Sequence, residues 1–271
     1  MRCRRSYAVN PSAVREVSKA LSAFTLSDAL AIEVFDPQLV SIKEASSACG
    51  SLTPTLTYLN ALVSYALSCR GEDYWKEFST YLGRVCAEGA PTDFAGAVDL
   101  VLSFIGSSRC NRVGASRKAL RIRRLSRASA VRGLMGSEDY VGLWRATYSA
   151  LGSEPYSKTV VFSVKMYYYG LRALRPSVNP LPHEIPIPAD RRISRLTFRL
   201  GLVNGFDSWR DLFRCPEAVA SAWLEVSRDV GIPPLHIDSV IWPSLGGQLG
   251  KGMPARLRRK LEVFRAWLHS R

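Results

Sequence analysis

Apolar residues recur at helical spacing along nearly the whole chain, and this periodicity limits what it can fold into. Leu56, Leu59, Leu62, Val63 and Leu67 repeat at intervals of three and four, the stripe that an amphipathic helix buries. Thr53 reads as the cap of that helix, Pro54 as its first residue and Gly71 as its stop. Trp75, Phe78, Tyr81 and Leu82 mark a second helix. Thr92 reads as the cap of a third, with Phe94, Val98, Val101 and Phe104 inward. Val219, Trp223, Leu224 and Val226 mark another that stops before Gly231, and Leu257, Leu261, Phe264 and Leu268 mark the last. Strand-like alternation is rare and short, so the expected class is all-α. At 271 residues and 47% hydrophobic, the chain suffices for one large domain or two smaller ones sharing a cleft. The first two dozen residues and the Gly/Pro-rich stretch from Pro243 to Pro254 break the pattern and are expected to be irregular.

The formal net charge is +14. Such an excess repels itself in a compact state and points to an acidic partner, of which nucleic acid is the commonest. Nine Arg or Lys and no Asp or Glu lie between Arg109 and Arg132. Within that run Arg117, Lys118, Arg121 and Arg124 share a helical face. A solvated helix usually mixes signs, so a single-sign face favours phosphate contacts, which supply affinity without sequence choice.

No apolar run approaches the ~18 residues of a membrane-spanning helix. The basic start, Met1-Arg2-Cys3-Arg4-Arg5, is not followed by a secretion signal's apolar core. A soluble, cytoplasmic protein is the expectation. The six cysteines form no CxxC pair and the three histidines stand apart, which argues against a zinc site or an iron–sulfur cluster. Buried free thiols are expected, with disulfides an alternative that some hyperthermophile cytosols tolerate. No P-loop is present either, because Gly246 to Lys251 lacks its spacing and a preceding strand.

The informative segment begins near residue 138. Tyr140, Leu143, Trp144 and Leu151 outline a helix, Gly152 to Tyr156 a turn, and Ser157-Lys158-Thr159 the start of another helix. Helix, short turn and helix, with a lysine opening the second, is the layout of a helix-hairpin-helix element. Further on, Leu181 to Ala189 is stiffened by three prolines and stops at Asp190, placed as an N-cap. The helix behind it buries Ile193, Leu196 and Leu200 and ends at Gly201. Capping alone explains an aspartate there; a chemical role requires that Lys158 and Asp190 face each other across a cleft.

These features resemble the helix-hairpin-helix base-excision glycosylases, and within them the archaeal 8-oxoguanine DNA glycosylase family. The strings that carry the resemblance are Lys158-Thr159-Val160-Val161-Phe162, Ile185-Pro186-Ile187-Pro188-Ala189-Asp190 and Gly231-Ile232-Pro233-Pro234-Leu235-His236-Ile237-Asp238. Weaker matches are Asp36-Pro37-Gln38, Leu59 to Tyr65 and Gly71 to Trp75. The 32-residue interval from Lys158 to Asp190 also suits the family. The hairpin departs from the superfamily pattern by lacking its second glycine, and the first two dozen residues and the segment after Trp242 do not match.

The resemblance implies a bifunctional glycosylase and lyase that flips a damaged nucleotide into a pocket. Lys158 would attack the anomeric carbon, displace the base and form a Schiff base that permits β-elimination. Only a neutral amine attacks, so burial or a neighbouring cation must favour that form; Lys165, two turns on, is a candidate cation. Asp190 would stabilise the positive charge that develops on the sugar. 8-Oxoguanine differs from guanine by its C8 carbonyl and its N7 hydrogen, so a discriminating pocket needs an acceptor for that hydrogen. Asp238 and Gln38 are candidate base-edge contacts, and Trp75 offers an indole donor. Trp242 lies one turn beyond Asp238 and would stack on the base, with Phe162 on the other side. For every aromatic the alternative is core packing. Neither metal nor organic cofactor is required.

The expected organisation is an irregular extension (1–24), a lobe from 54 to 180 holding the hairpin, and a second lobe built from 25–53 with 181–271. The expected partner is double-stranded DNA, with single-stranded DNA a further candidate, and the expected state a monomer. Two rivals stand beside this reading: the same chemistry on another lesion, and a non-catalytic nucleic-acid-binding protein using the same basic and aromatic groups.

Overall fold

In the computed structural model all residues except 1, 2, 4, 5, 176 and 248–250 are described. Among the described residues the chain is all-α apart from one two-stranded antiparallel pair. It divides into two compact units, one of residues 1–36, 156–161 and 181–271, the other of 37–155 and 162–180.

The first unit opens with β1 (Ala8–Val9), α1 (Pro11–Leu21) and α2 (Leu26–Glu33). From Ala8 onward the stretch expected to be irregular is thus regular structure. Asn10 Oδ1 accepts from the N–H groups of Ser12 and Ala13, Pro11 opens the helix, and Val14, Val17 and Leu21 are buried. That is an N-cap, a helix-opening proline and an apolar stripe, a signal present in the sequence. The side chain of Asn10 also donates to Gly201 O.

The second unit begins with α3 (Pro37–Cys49), α4 (Thr53–Val63) and α5 (Gly71–Gly89). Gly71 therefore starts a helix rather than ending one; the preceding helix stops at Val63, whose successor Ser64 returns its hydroxyl to Ala61 O. Next come α6 (Phe94–Ser107), capped by Asp93 rather than Thr92, α7 (Ala115–Ser126), α8 (Ser129–Gly133), α9 (Tyr140–Leu151) and most of α10 (Lys158–Leu174). Residues 37–53 cluster with this unit because α3 packs along α5, where Cys49 and Cys86 are bonded.

The chain returns to the first unit with α11 (Arg191–Arg199), β2 (Val203–Asn204), α12 (Trp209–Phe213), α13 (Pro216–Val230), α14 (Pro234–Ser244) and α15 (Ala255–His269). β2 pairs with β1 in antiparallel register, Val9 opposite Val203. The core gathers Val17 and Leu21 of α1, Trp223 of α13, Ile237 and Ile241 of α14 and Phe264 of α15. Of the stretch expected to be irregular, Pro243 and Ser244 still belong to α14, and residues 248–250 lie outside the described set.

All six cysteines are in disulfides: Cys3–Cys215 in the first unit, Cys49–Cys86 and Cys69–Cys110 in the second. This corrects the expectation of free thiols. Pairing depends on which helices meet, and no local spacing encodes it.

Candidate active site

The first unit holds Lys158, Asp190, Asp238 and Trp242. Asp190 caps α11 as expected: Oδ1 accepts from Arg192 N at 2.8 Å and Ile193 N at 2.9 Å. One oxygen thus serves both cap bonds. The other, Oδ2, lies 3.7 Å from Arg192 Nε. The Arg192 guanidinium in turn stands 5.9 Å from the centre of the Trp242 ring. The structure therefore brings Asp190 and Trp242 together through Arg192, a residue sequence reasoning missed. Nothing in sequence separates an arginine two places after an N-cap from an ordinary exposed one.

Asp238 and Trp242 lie one turn apart on α14, both partly exposed. Gly247 N donates to Trp242 O, and a Cβ built on Gly247 would stand 2.5 Å from the indole carbons. Glycine at 247 is what allows the backbone to lie against that ring. In sequence, Gly246 and Gly247 read only as part of an irregular stretch without P-loop spacing.

A buried polar group fixes α14. His236 Nε2 accepts from Leu181 N at 3.0 Å, so the ring hydrogen sits on Nδ1 and is donated to Glu33 Oε1 at 2.7 Å. Ser239 also donates to Glu33 Oε1. Both His236 and Glu33 are fully buried. This group ties α2, α14 and the start of the proline-stiffened segment that leads to Asp190.

Lys158 is the first residue of α10, behind Ser157, whose carbonyl accepts from Val160 N and Val161 N. It is exposed and has no carboxylate partner among the described residues. A helix N-terminus favours anions, so a lysine does not stabilise this helix by its position.

The second unit holds the other candidates. Trp75 is buried in an aromatic cluster, packing edge-to-face on Phe78 and, at 6.2 Å between ring centres, on Phe162. Gln38 is the second residue of α3 and partly exposed. Lys165 is buried, its ammonium 5.7 Å from the centre of the Tyr169 ring.

The basic face of α7 is only partly as expected. Lys118 is completely buried: its ammonium donates to Asn111 Oδ1 at 3.0 Å, lies over the Tyr65 ring, and is pushed toward its neutral form by desolvation. It is therefore withdrawn from the exposed basic face. The helix buries positions 118, 122 and 125, a stripe that takes the lysine inward with Ile122 and Leu125. Arg121 is also turned inward, and burial lowers its pKa from the ordinary guanidinium value. Arg117 and Arg124 remain exposed. Arg124 is positioned at the hairpin: a Cβ built on Gly152 would stand 3.1 Å from its Nη2. Gly152 closes α9 in the left-handed region, at φ +57°, and Ser153 N reaches back to Tyr148 O. The turn is pinned by the Trp144 indole, which donates to Pro155 O at 2.9 Å.

A lysine behind a helix hairpin and an aspartate capping a helix after an extended proline-rich segment are the features on which the resemblance to base-excision glycosylases rests. Comparison with known proteins agrees. The family model described as AGOG, N-glycosylase/DNA lyase, matches residues 18–267. An N-glycosylase/DNA lyase of Methanopyrus kandleri is 38% identical over 222 residues, covering 77% of this chain and 81% of the relative. One of Thermococcus kodakarensis is 37% identical over 214 residues, covering 77% and 73%. The structure of the Pyrobaculum aerophilum 8-oxoguanine DNA glycosylase in complex with 8-oxoguanosine superposes with a TM-score of 0.75 at 26% identity, covering 94% of this chain and 97% of that one. The chain belongs to the AGOG family of N-glycosylase/DNA lyases.

Proposed function

We propose that this protein removes 8-oxoguanine from DNA and then cuts the strand, with Lys158 as nucleophile and Asp190 as the carboxylate beside the developing sugar cation. The lysine amine attacks C1′ of the flipped nucleotide while the bond from C1′ to purine N9 breaks. The base leaves with that electron pair and takes up a proton. Loss of the amine protons and opening of the sugar ring give a Schiff base. Loss of a C2′ proton then expels the 3′ phosphate. Every atom required comes from the lysine, the nucleotide and water.

The observation that carries the reading is the division of labour within Asp190. A purely capping aspartate needs one oxygen, and here one oxygen makes both cap bonds, leaving the second beside Arg192, whose guanidinium in turn approaches the Trp242 ring. A carboxylate fixed in this way requires little reorganisation when positive charge appears nearby. Support also comes from the 8-oxoguanosine complex of the Pyrobaculum relative. In this reading Trp242 and Phe162 stack on the base, and Gln38, Trp75, Lys165 and Asp238 contact it. Arg117 and Arg124 meet phosphates, and duplex DNA is the substrate of a monomeric, intracellular enzyme. Release of free 8-oxoguanine from a duplex carrying one such base, with none of guanine from the undamaged duplex, is the expected result. No release of the damaged base would overturn the substrate assignment.

A further inference from the structure

Helix α11 carries Arg191, Arg192, Arg195 and Arg199 and no acidic residue, and all four arginines are exposed. At about 100° per residue, Arg192, Arg195 and Arg199 fall within about 60° of arc. With Leu196 and Leu245 they line a groove of about 330 Å³. Arg195 stacks on the Trp209 ring at 4.3 Å, and Arg210 approaches the same ring at 5.7 Å. Among the described residues none of Arg195, Arg199 and Arg210 has a carboxylate partner. The other basic helix of this unit, α15, is different: Arg256 and Lys260 both bind Asp28 at 2.7 Å.

Two guanidiniums drawn to one indole repel each other, and among the described residues neither has a carboxylate partner to offset that repulsion. An anion in the groove would. The indole fixes Arg195 without consuming its N–H donors, as suits bidentate phosphate binding. From Arg192 to Arg199 the helix advances about 10 Å. A DNA strand presents one phosphate per ~3.4 Å of duplex axis, so the ridge spans roughly two to three. The same helix begins at Asp190, next to the site.

We propose that the arginine ridge of α11, with Arg195 set on Trp209, grips the phosphodiester backbone of the strand that carries the damaged nucleotide. This rests on the reading that Asp190 belongs to the active site. Arg195 and Arg199 are then determinants of affinity that carry no sequence information.

The test is a salt titration of affinity for an 8-oxoguanine duplex, in the Lys158→Gln background to prevent turnover. Each phosphate contact contributes about 0.9 to the slope of log affinity against log salt concentration. Arg195→Ala/Arg199→Ala should lower that slope by about 2. Arg259→Ala/Arg265→Ala, the same charge change on exposed positions of α15, should lower it by well under 1. With Lys158 restored, the ridge variant at saturating protein should excise at the parental single-turnover rate. A ridge slope equal to the parent's, or an equal loss in the α15 control, would overturn the proposal. Arg195→Lys/Arg199→Lys guards against misfolding, since it should retain most of the slope. Failure of the unmodified enzyme to release 8-oxoguanine would sink the glycosylase reading separately, because the slope is measured without chemistry.

Discussion

An aspartate at a helix start ordinarily uses its carboxylate to satisfy free backbone N–H groups. In Asp190 one oxygen suffices, which makes the capping and chemical roles separable by mutation. Asparagine retains a carbonyl oxygen for the cap and loses the charge. Asp190→Asn should therefore lower single-turnover base removal by roughly 10²-fold or more, the scale of an electrostatic contribution in a preorganised site. DNA affinity and thermal stability should stay close to the parent's. Normal activity in Asp190→Asn would remove the electrostatic account. At Gly247 an added methyl group would collide with the Trp242 indole. Gly247→Ala should tilt the ring or push back the backbone, which costs about 1–3 kcal/mol in a packed setting. A raised KM for the damaged duplex, with a shifted tryptophan emission, is the expected readout, and unchanged KM would argue that Trp242 does not hold the base. Asp190 was legible from its prolines and the apolar stripe behind it. Arg192 and Gly247 were not, because their importance comes from where Trp242 lies, and Trp242 is distant in sequence from Arg192.

Among elements, α14 depends on a fully buried acid–imidazole pair. Removing the imidazole in His236→Ala would leave the Glu33 carboxylate without one of its donors inside the core. Breaking one side of a buried pair costs about 3–5 kcal/mol, so chemical denaturation should show a loss of that order. A loss below 1 kcal/mol would mean that the site does not rely on this group. The ion cluster that ties α15 to α2 gives a pH signature. Burial alone would raise the pKa of Asp28, but its hydrogen bond to Lys260 and those from Thr25 outweigh burial and bring it down from 3.8 to about 2. A carboxylate depressed in the folded state adds stability above its unfolded pKa and loses it as pH falls through the folded value. About 2 kcal/mol should therefore be lost between roughly pH 4 and pH 2. Asp28→Asn should remove most of that dependence in acid titrations followed by circular dichroism. Helix ends were legible where a local signal sits at the boundary, as Asp190 does at the start of α11 and Gly231 at the end of α13. Gly71 was misread because glycine serves at either end of a helix and only the course of the chain decides. Lys118 was misassigned because its acceptor, Asn111, lies outside the helix and ion burial depends on such a partner.

For the whole molecule, the three disulfides are the feature least visible in sequence. Six cysteines permit fifteen pairings, and only the packed helices select one. The Cys49–Cys86 bond closes a loop of sequence separation 37, for which chain entropy suggests about 4 kcal/mol of stabilisation. Thermal unfolding in the presence of a strong reductant should show a markedly lower Tm, and Cys49→Ser/Cys86→Ser should reproduce part of that drop. An unchanged Tm after verified reduction would contradict this account. The all-α class was legible because helical periodicity recurs along most of the chain and strand-like alternation is rare and short. The allocation of 37–53 was not, since it rests on long-range packing of α3 against α5. The net charge foreshadowed a polyanionic partner, yet two of the four residues on the expected basic face, Lys118 and Arg121, proved inward-facing. The arginines of α11 drew no notice, dispersed among the hydrophobic residues that bury its other face.

The central claim, that Lys158 is the nucleophile, is tested most directly by borohydride trapping on a duplex with one 8-oxoguanine. The controls are undamaged DNA, a duplex with an abasic site, and Lys158→Gln. The account predicts a covalent protein–DNA adduct on the damaged duplex, mapped by peptide mass to Lys158 and absent in Lys158→Gln. An adduct that persists in Lys158→Gln, or tight binding with no adduct on either the damaged or the abasic duplex, would contradict it.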